Sequence, residues 1–171
     1  MLTIMLSATD DSDPIQLKFE HSLVSLSKWE SMYEKPFFGR EDKTPEETSS
    51  YFKFMLLNEN PPEDFLDRLL PKQFEEIANY INSKQTATTF REQKQGRGSS
   101  EVITSELIYY WLVQFNIPFS PTEEWNLNRL MTLVKIAGVK QSKPKKMTRA
   151  EIAQQQRELN AERRNQLGTS G

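Results

Sequence analysis

Few side chains in this sequence are suited to catalysis. It contains a single histidine, His21, and no cysteine, which excludes disulfides, thiol nucleophiles and cysteine-ligated metal sites. Ser22 and Ser25 lie close to His21 in the sequence, but no glycine pattern of a nucleophile elbow surrounds either serine. We therefore expect His21 to form a hydrogen bond at a junction between a strand and a helix, not to act as a catalytic base.

The acidic residues come in adjacent pairs that do not have the pattern of a metal site. Neighbouring side chains on a helix point about 100° apart, so an adjacent pair does not converge on one ion. Capping of helix N-termini, where negative charge is favourable, explains the pairs better. They are Glu46/Glu47, Glu63/Asp64, Glu75/Glu76 and Glu123/Glu124. The sequence predicts no catalytic residue, no metal and no cofactor, and a protein that is not an enzyme.

A polar segment at residues 93–100 contains Gly96 and Gly98 ahead of an expected helix. Backbone N–H groups in such a segment can hold a phosphate. The segment lacks the Gly-Lys-Ser/Thr sequence and the strand–helix–strand frame of phosphate-binding loops, so an exposed loop is favoured.

Aromatic residues are concentrated on one expected helix. Tyr109, Tyr110 and Trp111 are consecutive and cover most of a helix circumference, so at least one of them points away from the core. One interpretation is a rim of tyrosines with hydroxyls in water, and the other is an apolar surface that holds a partner helix. Together with Phe115 and Trp125, these residues form the candidate aromatic partner surface.

The C-terminal region differs in charge from the rest of the chain. Residues 140–171 carry eight basic and three acidic side chains, a net charge of +5, whereas residues 1–139 carry 14 basic and 21 acidic, a net charge of −7. The tail contains no aromatic residue for stacking on bases, which favours a solvated arm or docking on an acidic protein over nucleic-acid binding. The candidate docking residues are Lys143, Lys145, Lys146, Arg163 and Arg164.

Hydrophobic periodicity predicts a mainly helical fold with a small β-hairpin at its N-terminus. Residues 2–6 and 15–19 alternate apolar and polar side chains, as half-buried strands do. Helix starts are predicted at Thr44, at Thr104 or Ser105, at Ser120 and at Thr148, and a short helix is predicted around Phe65 to Leu69. Gly138 is the expected end of the helix that Ser120 starts and that includes Trp125.

Two domains follow from these patterns: a helical globular domain over residues 1–139, and a basic, partly helical extension over residues 140–171.

The longest apolar run, Leu107 to Val113, is far shorter than the roughly 20 residues that span a bilayer. No signal peptide is apparent, since acidic residues follow Leu6 closely and no basic region precedes it.

Three stretches of the sequence carry a resemblance. They are FEHSLVSLSKWE at residues 19–30, ITSELIYYW at 103–111 running on to NIPF at 116–119, and a region that begins at Trp125 with LNRL at 127–130 and ends in LNAERR at 159–164 and LGT at 167–169. Together they resemble a family of tail assembly chaperones of long-tailed bacteriophages. The resemblance implies a non-catalytic assembly factor. Such chaperones bind the long, helical tape-measure protein while tail-tube subunits polymerise round it, and then leave.

The resemblance sets the expected partners and location. The tape-measure protein is the expected partner, with the tail-tube protein as a second one, in the host cytoplasm and not in the mature virion. Two other classes remain open: a structural virion protein such as a head–tail connector or tail-completion subunit, and, less favoured, a nucleic-acid-binding regulator that uses the basic tail.

Overall fold

The computed structural model describes residues 1–7, 13–90, 102–141 and 149–167. The described residues form strands β1 (Leu2–Leu6) and β2 (Ile15–Phe19), followed by helices α1 (Leu23–Tyr33), α2 (Pro45–Met55), α3 (Pro71–Asn82), α4 (Ser105–Gln114), α5 (Leu127–Gln141) and α6 (Arg149–Leu167), with a 3₁₀ turn at Thr122–Glu124. The prediction of a mainly helical fold with an N-terminal hairpin and a helical C-terminal arm is confirmed. The chain divides into two units, Met1–Val139 and Lys140–Gly171.

The hairpin forms because alternate residues of both strands are apolar. β1 and β2 pair antiparallel, with Leu6 opposite Ile15 and Leu2 opposite Phe19. In this register the apolar residues of both strands face the helices, and Ile4, Leu6, Leu17 and Phe19 are buried.

Polar side chains cover both edges of the hairpin. Beside β2, the Asn58 side chain donates to the carbonyl of Gln16 at 2.9 Å and accepts from the N–H of Lys18 at 2.9 Å. Beside β1, the side-chain amide of Gln73, on α3, donates to the carbonyl of Met5 at 2.9 Å. Backbone groups that would otherwise be open to another strand are thereby paired within the fold.

Two groups of buried side chains form the core of residues 1–139, and α1 contributes to both. The first packs the hairpin against α1, α2, α3 and the turn before α3, and consists of Ile4, Leu6, Leu17, Phe19, Trp29, Tyr51, Phe52, Met55, Phe65, Leu69, Ile77 and Tyr80. The second packs α1 against α4 and α5, and consists of Leu23, Leu26, Ile108, Leu112, Leu127, Leu130 and Val134.

The start of α2 has the predicted cap. The Thr44 hydroxyl accepts from the N–H of Glu47, and the Glu47 carboxylate accepts from the N–H of Thr44 at 2.9 Å. Pro45 occupies the first turn, where its missing N–H is not needed. Lys35 contacts the same carboxylate at 2.5 Å, and this hydrogen bond, with that from Thr44, lowers the pKa of Glu47.

A buried carboxylate on α1 holds the start of α4. The two oxygens of Glu30 accept from the N–H of Phe37 at 2.8 Å and from the N–H of Ser105, the first residue of α4, at 2.6 Å. The positive end of the α4 dipole stabilises a carboxylate at this position. Thr104 is the predicted N-cap and accepts from the N–H of Leu107. α1 thereby fixes where α4 begins.

The predicted helix around Phe65 to Leu69 is wrong, because residues 63–68 form turns. Pro71 begins α3 and keeps Leu70 in an extended conformation, since a residue before proline disfavours the helical region. Only a few residues are therefore left between Pro62 and Leu70, too few for a stable separate helix. Phe65 and Leu69 are still buried in the first core group.

The predicted boundaries of the fifth helix are also wrong. Ser120 precedes only the 3₁₀ turn, and α5 begins at Leu127 because the Asn126 side chain accepts from the N–H groups of Asn128 and Arg129. Gly138 does not end this helix, which continues to Gln141. A glycine inside a helix costs only about 1 kcal/mol relative to alanine, so its neighbours can carry the helix through it.

Candidate partner-binding groove

An open groove of about 740 Å³ lies between α4, α5 and the segment that follows α3. Its apolar lining is formed by Phe90, Trp111, Phe115, Met131 and Val134. Its polar lining consists of Asn82, Lys84, Thr86, Thr88, Thr89, Gln114, Asn128, Thr132 and Lys135. The volume lies within the range of about 300–1,000 Å³ that is usual for ligand pockets.

The periodicity of α4 and α5 explains why their side chains meet in this groove. On α4, Ile108 and Leu112 are buried. Trp111 lies on the adjacent face, four residues before Phe115, the residue that caps the C-terminus of α4, and both aromatic side chains stay partly exposed. On α5, Met131, Lys135 and Gly138 share one face. These two faces form two walls of the groove.

Gly138, on α5, lies beside the Phe115 ring. A Cβ atom added to Gly138 would lie 3.7 Å from Cζ of Phe115, an ordinary van der Waals distance. Any larger side chain at this position would extend into the groove beside the ring. The glycine that resembles a helix end in the sequence is therefore part of the groove lining.

The third wall is a non-helical segment that α5 holds in place. The Asn128 side chain donates to the carbonyls of Ile81 at 2.7 Å and Ser83 at 2.8 Å. At the far end of this segment, Nζ of Lys135 lies 4.3 Å from the centroid of the Phe90 ring, a favourable cation–π distance. These contacts connect both ends of the segment to α5.

The charge around the groove is positive. Lys84 and Lys135 line it and are exposed to solvent. Among the described residues that line the groove, none is Asp or Glu. This sign is opposite to the net charge of −7 that the sequence gives residues 1–139. The groove is thus a locally cationic site on an acidic domain.

The structure places the five predicted aromatic residues in different surroundings. Trp111 and Phe115 line the groove, whereas Tyr109, Tyr110 and Trp125 do not. Tyr110 is 58% exposed and points away from the core. Trp125 is 37% exposed, and the Arg129 guanidinium lies 5.1 Å from its ring centroid.

Tyr109 belongs to a separate contact. Its hydroxyl donates to the Glu123 carboxylate at 2.9 Å, and its ring meets Phe119 edge to face at 5.1 Å. Burial raises the pKa of the Tyr109 hydroxyl, and the nearby Glu123 carboxylate raises it further. Tyr109 therefore connects α4 to the 3₁₀ turn and contributes to the fold.

The basic candidates are only partly described. Arg163 and Arg164 lie on α6 with exposed side chains. Lys143, Lys145 and Lys146 lie outside the described residues, as does the glycine-bearing segment at 93–100.

His21 lies at the junction between β2 and α1, as predicted, and it is buried. Its Nδ1 atom is 2.5 Å from the Tyr51 hydroxyl, and its carbonyl accepts from the N–H of Leu127 at 2.6 Å. Burial lowers the pKa of His21 from 6.5 to about 4, although the charge of Glu20 acts in the opposite direction. Ser22 and Ser25 cap α1 reciprocally. All three side chains have a structural role.

No three His, Asp or Glu side chains in the described part of the chain come together as metal ligands do. Within the described ranges, no helix combines the length and the apolar character needed to cross a membrane.

Several residues that line the groove were not predicted from the sequence to bind a partner, chiefly Lys84, Phe90, Met131 and Lys135. The spacing of Met131, Lys135 and Gly138 places them on one helix face, so the α5 wall could have been found from the sequence. The position of Phe90 depends on contacts with α5 that no local pattern predicts.

Comparison with known proteins adds no relative: no family model, no curated protein and no solved structure matches this chain.

Proposed function

We propose that this protein is a non-catalytic tail assembly chaperone of a long-tailed phage, and that it holds helical segments of the tape-measure protein in the groove between α4 and α5. The observation that carries the proposal is the groove itself, an open apolar site with Trp111 and Phe115 in its lining. Hydrophobic grooves of this kind accept the apolar face of an amphipathic helix. The resemblance of residues 19–30, 103–119 and the region from Trp125 supports the same role.

The size of the groove suits weak and reversible holding. Each well-buried apolar side chain contributes about 1.5–3 kcal/mol, so two or three anchors contribute roughly 3–9 kcal/mol before other terms. The loss of rotational and translational freedom on association offsets much of this. A helix would be released when tail-tube subunits compete for the same apolar face, as an assembly factor requires.

The basic arm has a second role in this proposal: it docks on an acidic surface of the partner. Its net charge of +5 and the exposed side chains of Arg163 and Arg164 support this role. Deletion of residues 142–171, which leaves α5 intact, should weaken partner capture at low salt and have little effect at high salt, where exposed charges are screened. Unchanged capture at low salt would remove the arm from the proposal.

The experiment that tests the function is affinity capture of the tagged protein from phage-producing cells, read by mass spectrometry beside purified virions. Recovery of the tape-measure protein from the lysate, with this chain missing from virions, is the expected result. A fixed number of copies in virions would make the protein a connector or tail-completion subunit instead. Capture of DNA with a steep salt dependence would make it a nucleic-acid-binding regulator.

A further inference from the structure

We propose that the groove selects an amphipathic helix whose apolar face is flanked by acidic side chains. This inference rests on the proposed function, because it specifies the chemistry of the helix that the chaperone holds. Its basis is the combination of the apolar lining with two lysines, Lys84 and Lys135, which form a cationic rim. The apolar lining alone would accept any apolar helix face, and the lysines of the rim add a preference for acidic side chains.

The two lysines of the rim stand on different walls. Lys84 belongs to the segment after α3, and Lys135 belongs to α5. A helix lying in the groove would meet a lysine on each of these two walls. Acidic residues that flank its apolar face would therefore gain attractive contacts with the lysines.

Lys135 is held close to the groove. Its ammonium group lies over the Phe90 ring at 4.3 Å, so the cation–π contact restrains the side chain near the rim. The hydroxyl groups of Thr88 and Thr89 and the amide of Gln114 belong to the uncharged part of the polar lining. Such groups can pair with polar side chains of an acidic helix without adding charge.

The positive charge of the rim commits the groove to one kind of occupant. An acidic helix of a different protein complements Lys84 and Lys135, as the proposed function requires.

Three synthetic peptides of about 18 residues, or five helical turns, test the preference. All three carry the same leucine face, and their flanks carry Glu, Gln or Lys. Fluorescence anisotropy with the full chain measures each dissociation constant. Two exposed ion pairs should make the Glu peptide bind about fivefold more tightly than the Gln peptide, with the Lys peptide weaker still. In 1 M salt the three affinities should converge.

Charge reversal on the protein tests whether these lysines are responsible. The double variant Lys84→Glu/Lys135→Glu should reverse the order of the three peptides. The matched control Lys28→Glu/Lys72→Glu changes the net charge equally at exposed positions that do not line the groove, and should keep the original order. If both double variants give the same order of the three peptides, Lys84 and Lys135 do not determine the preference and the inference is wrong.

A blocking substitution tests whether the peptides bind in the groove at all. Gly138→Leu should abolish binding of the Glu peptide, because the added side chain occupies the space beside Phe115. Gly138→Ala should retain it. Equal affinities of the three peptides, or binding that survives Gly138→Leu, would overturn the inference. Recovery of the tape-measure protein from cells would still stand, so the two proposals fail separately.

Discussion

Replacement of Glu30 with glutamine tests what fixes α4 and therefore the groove. Glu30 is only 6% exposed, and each of its oxygens accepts from one backbone N–H, of Phe37 or of Ser105. Glutamine offers one oxygen and one amino group, so one of these N–H groups would face another donor. A hydrogen bond to a charged group contributes about 1.5–3 kcal/mol. We expect the Glu30→Gln variant to lose about 2–3 kcal/mol of unfolding free energy.

Urea titration followed by circular dichroism measures this loss, and thermal unfolding should show a Tm lower by about 4–12 °C for a chain of this size. The control is Glu75→Gln, which removes the same charge from an exposed position on α3 and should stay within about 0.5 kcal/mol of the parent. If Glu30→Gln is as stable as this control, then the buried carboxylate does not hold α4, and the account of how the groove is positioned is wrong.

Three further perturbations test the groove and the buried histidine. Gly138→Ala should raise the unfolding free energy in urea by about 0.8–1 kcal/mol, since the added Cβ makes an ordinary contact with Phe115, and a loss of stability would contradict that geometry. Trp111→Ala should weaken binding of an acidic amphipathic peptide about 30-fold in anisotropy titrations, as loss of an aromatic anchor does, whereas the exposed Tyr110→Ala should change it less than twofold. Because burial lowers the pKa of His21 to about 4, neutral His21 stabilises the fold above pH 6.5, and this contribution is lost as the pH falls from 6.5 to 4. The variant His21→Gln should show a shallower fall of unfolding free energy over that range, and an unchanged slope would contradict the assignment.

Local chemistry explains which parts of the fold could be predicted. Alternating apolar residues determine the hairpin, and caps at Thr44 and Thr104 determine two helix starts. The errors arose where two local preferences competed. Asn126 provides a better-placed cap than Ser120, and Gly138 is tolerated inside α5.

Some residues of the groove could be predicted from the sequence, and those whose contacts span a long distance along the chain could not. Trp111 and Phe115 could be predicted, because the consecutive aromatic residues around them are too many for all to point into the core. Glu30 was not found, because its carboxylate accepts from the N–H of Ser105, 75 residues further along the sequence. The same holds for Asn128, whose amide binds carbonyls at Ile81 and Ser83. Such polar contacts between distant elements leave no local pattern.

Site-specific photo-crosslinking in phage-producing cells can show whether the tape-measure protein occupies the groove. A benzoylphenylalanine in place of Gln114 would project from the groove lining, and the same residue in place of Val113, 60% exposed and outside the groove, provides the neighbouring control. We expect a crosslink from position 114 to a helical segment of the tape-measure protein and none from position 113. Crosslinks of equal yield from both positions, or from position 113 alone, would show that the groove does not hold the tape-measure protein.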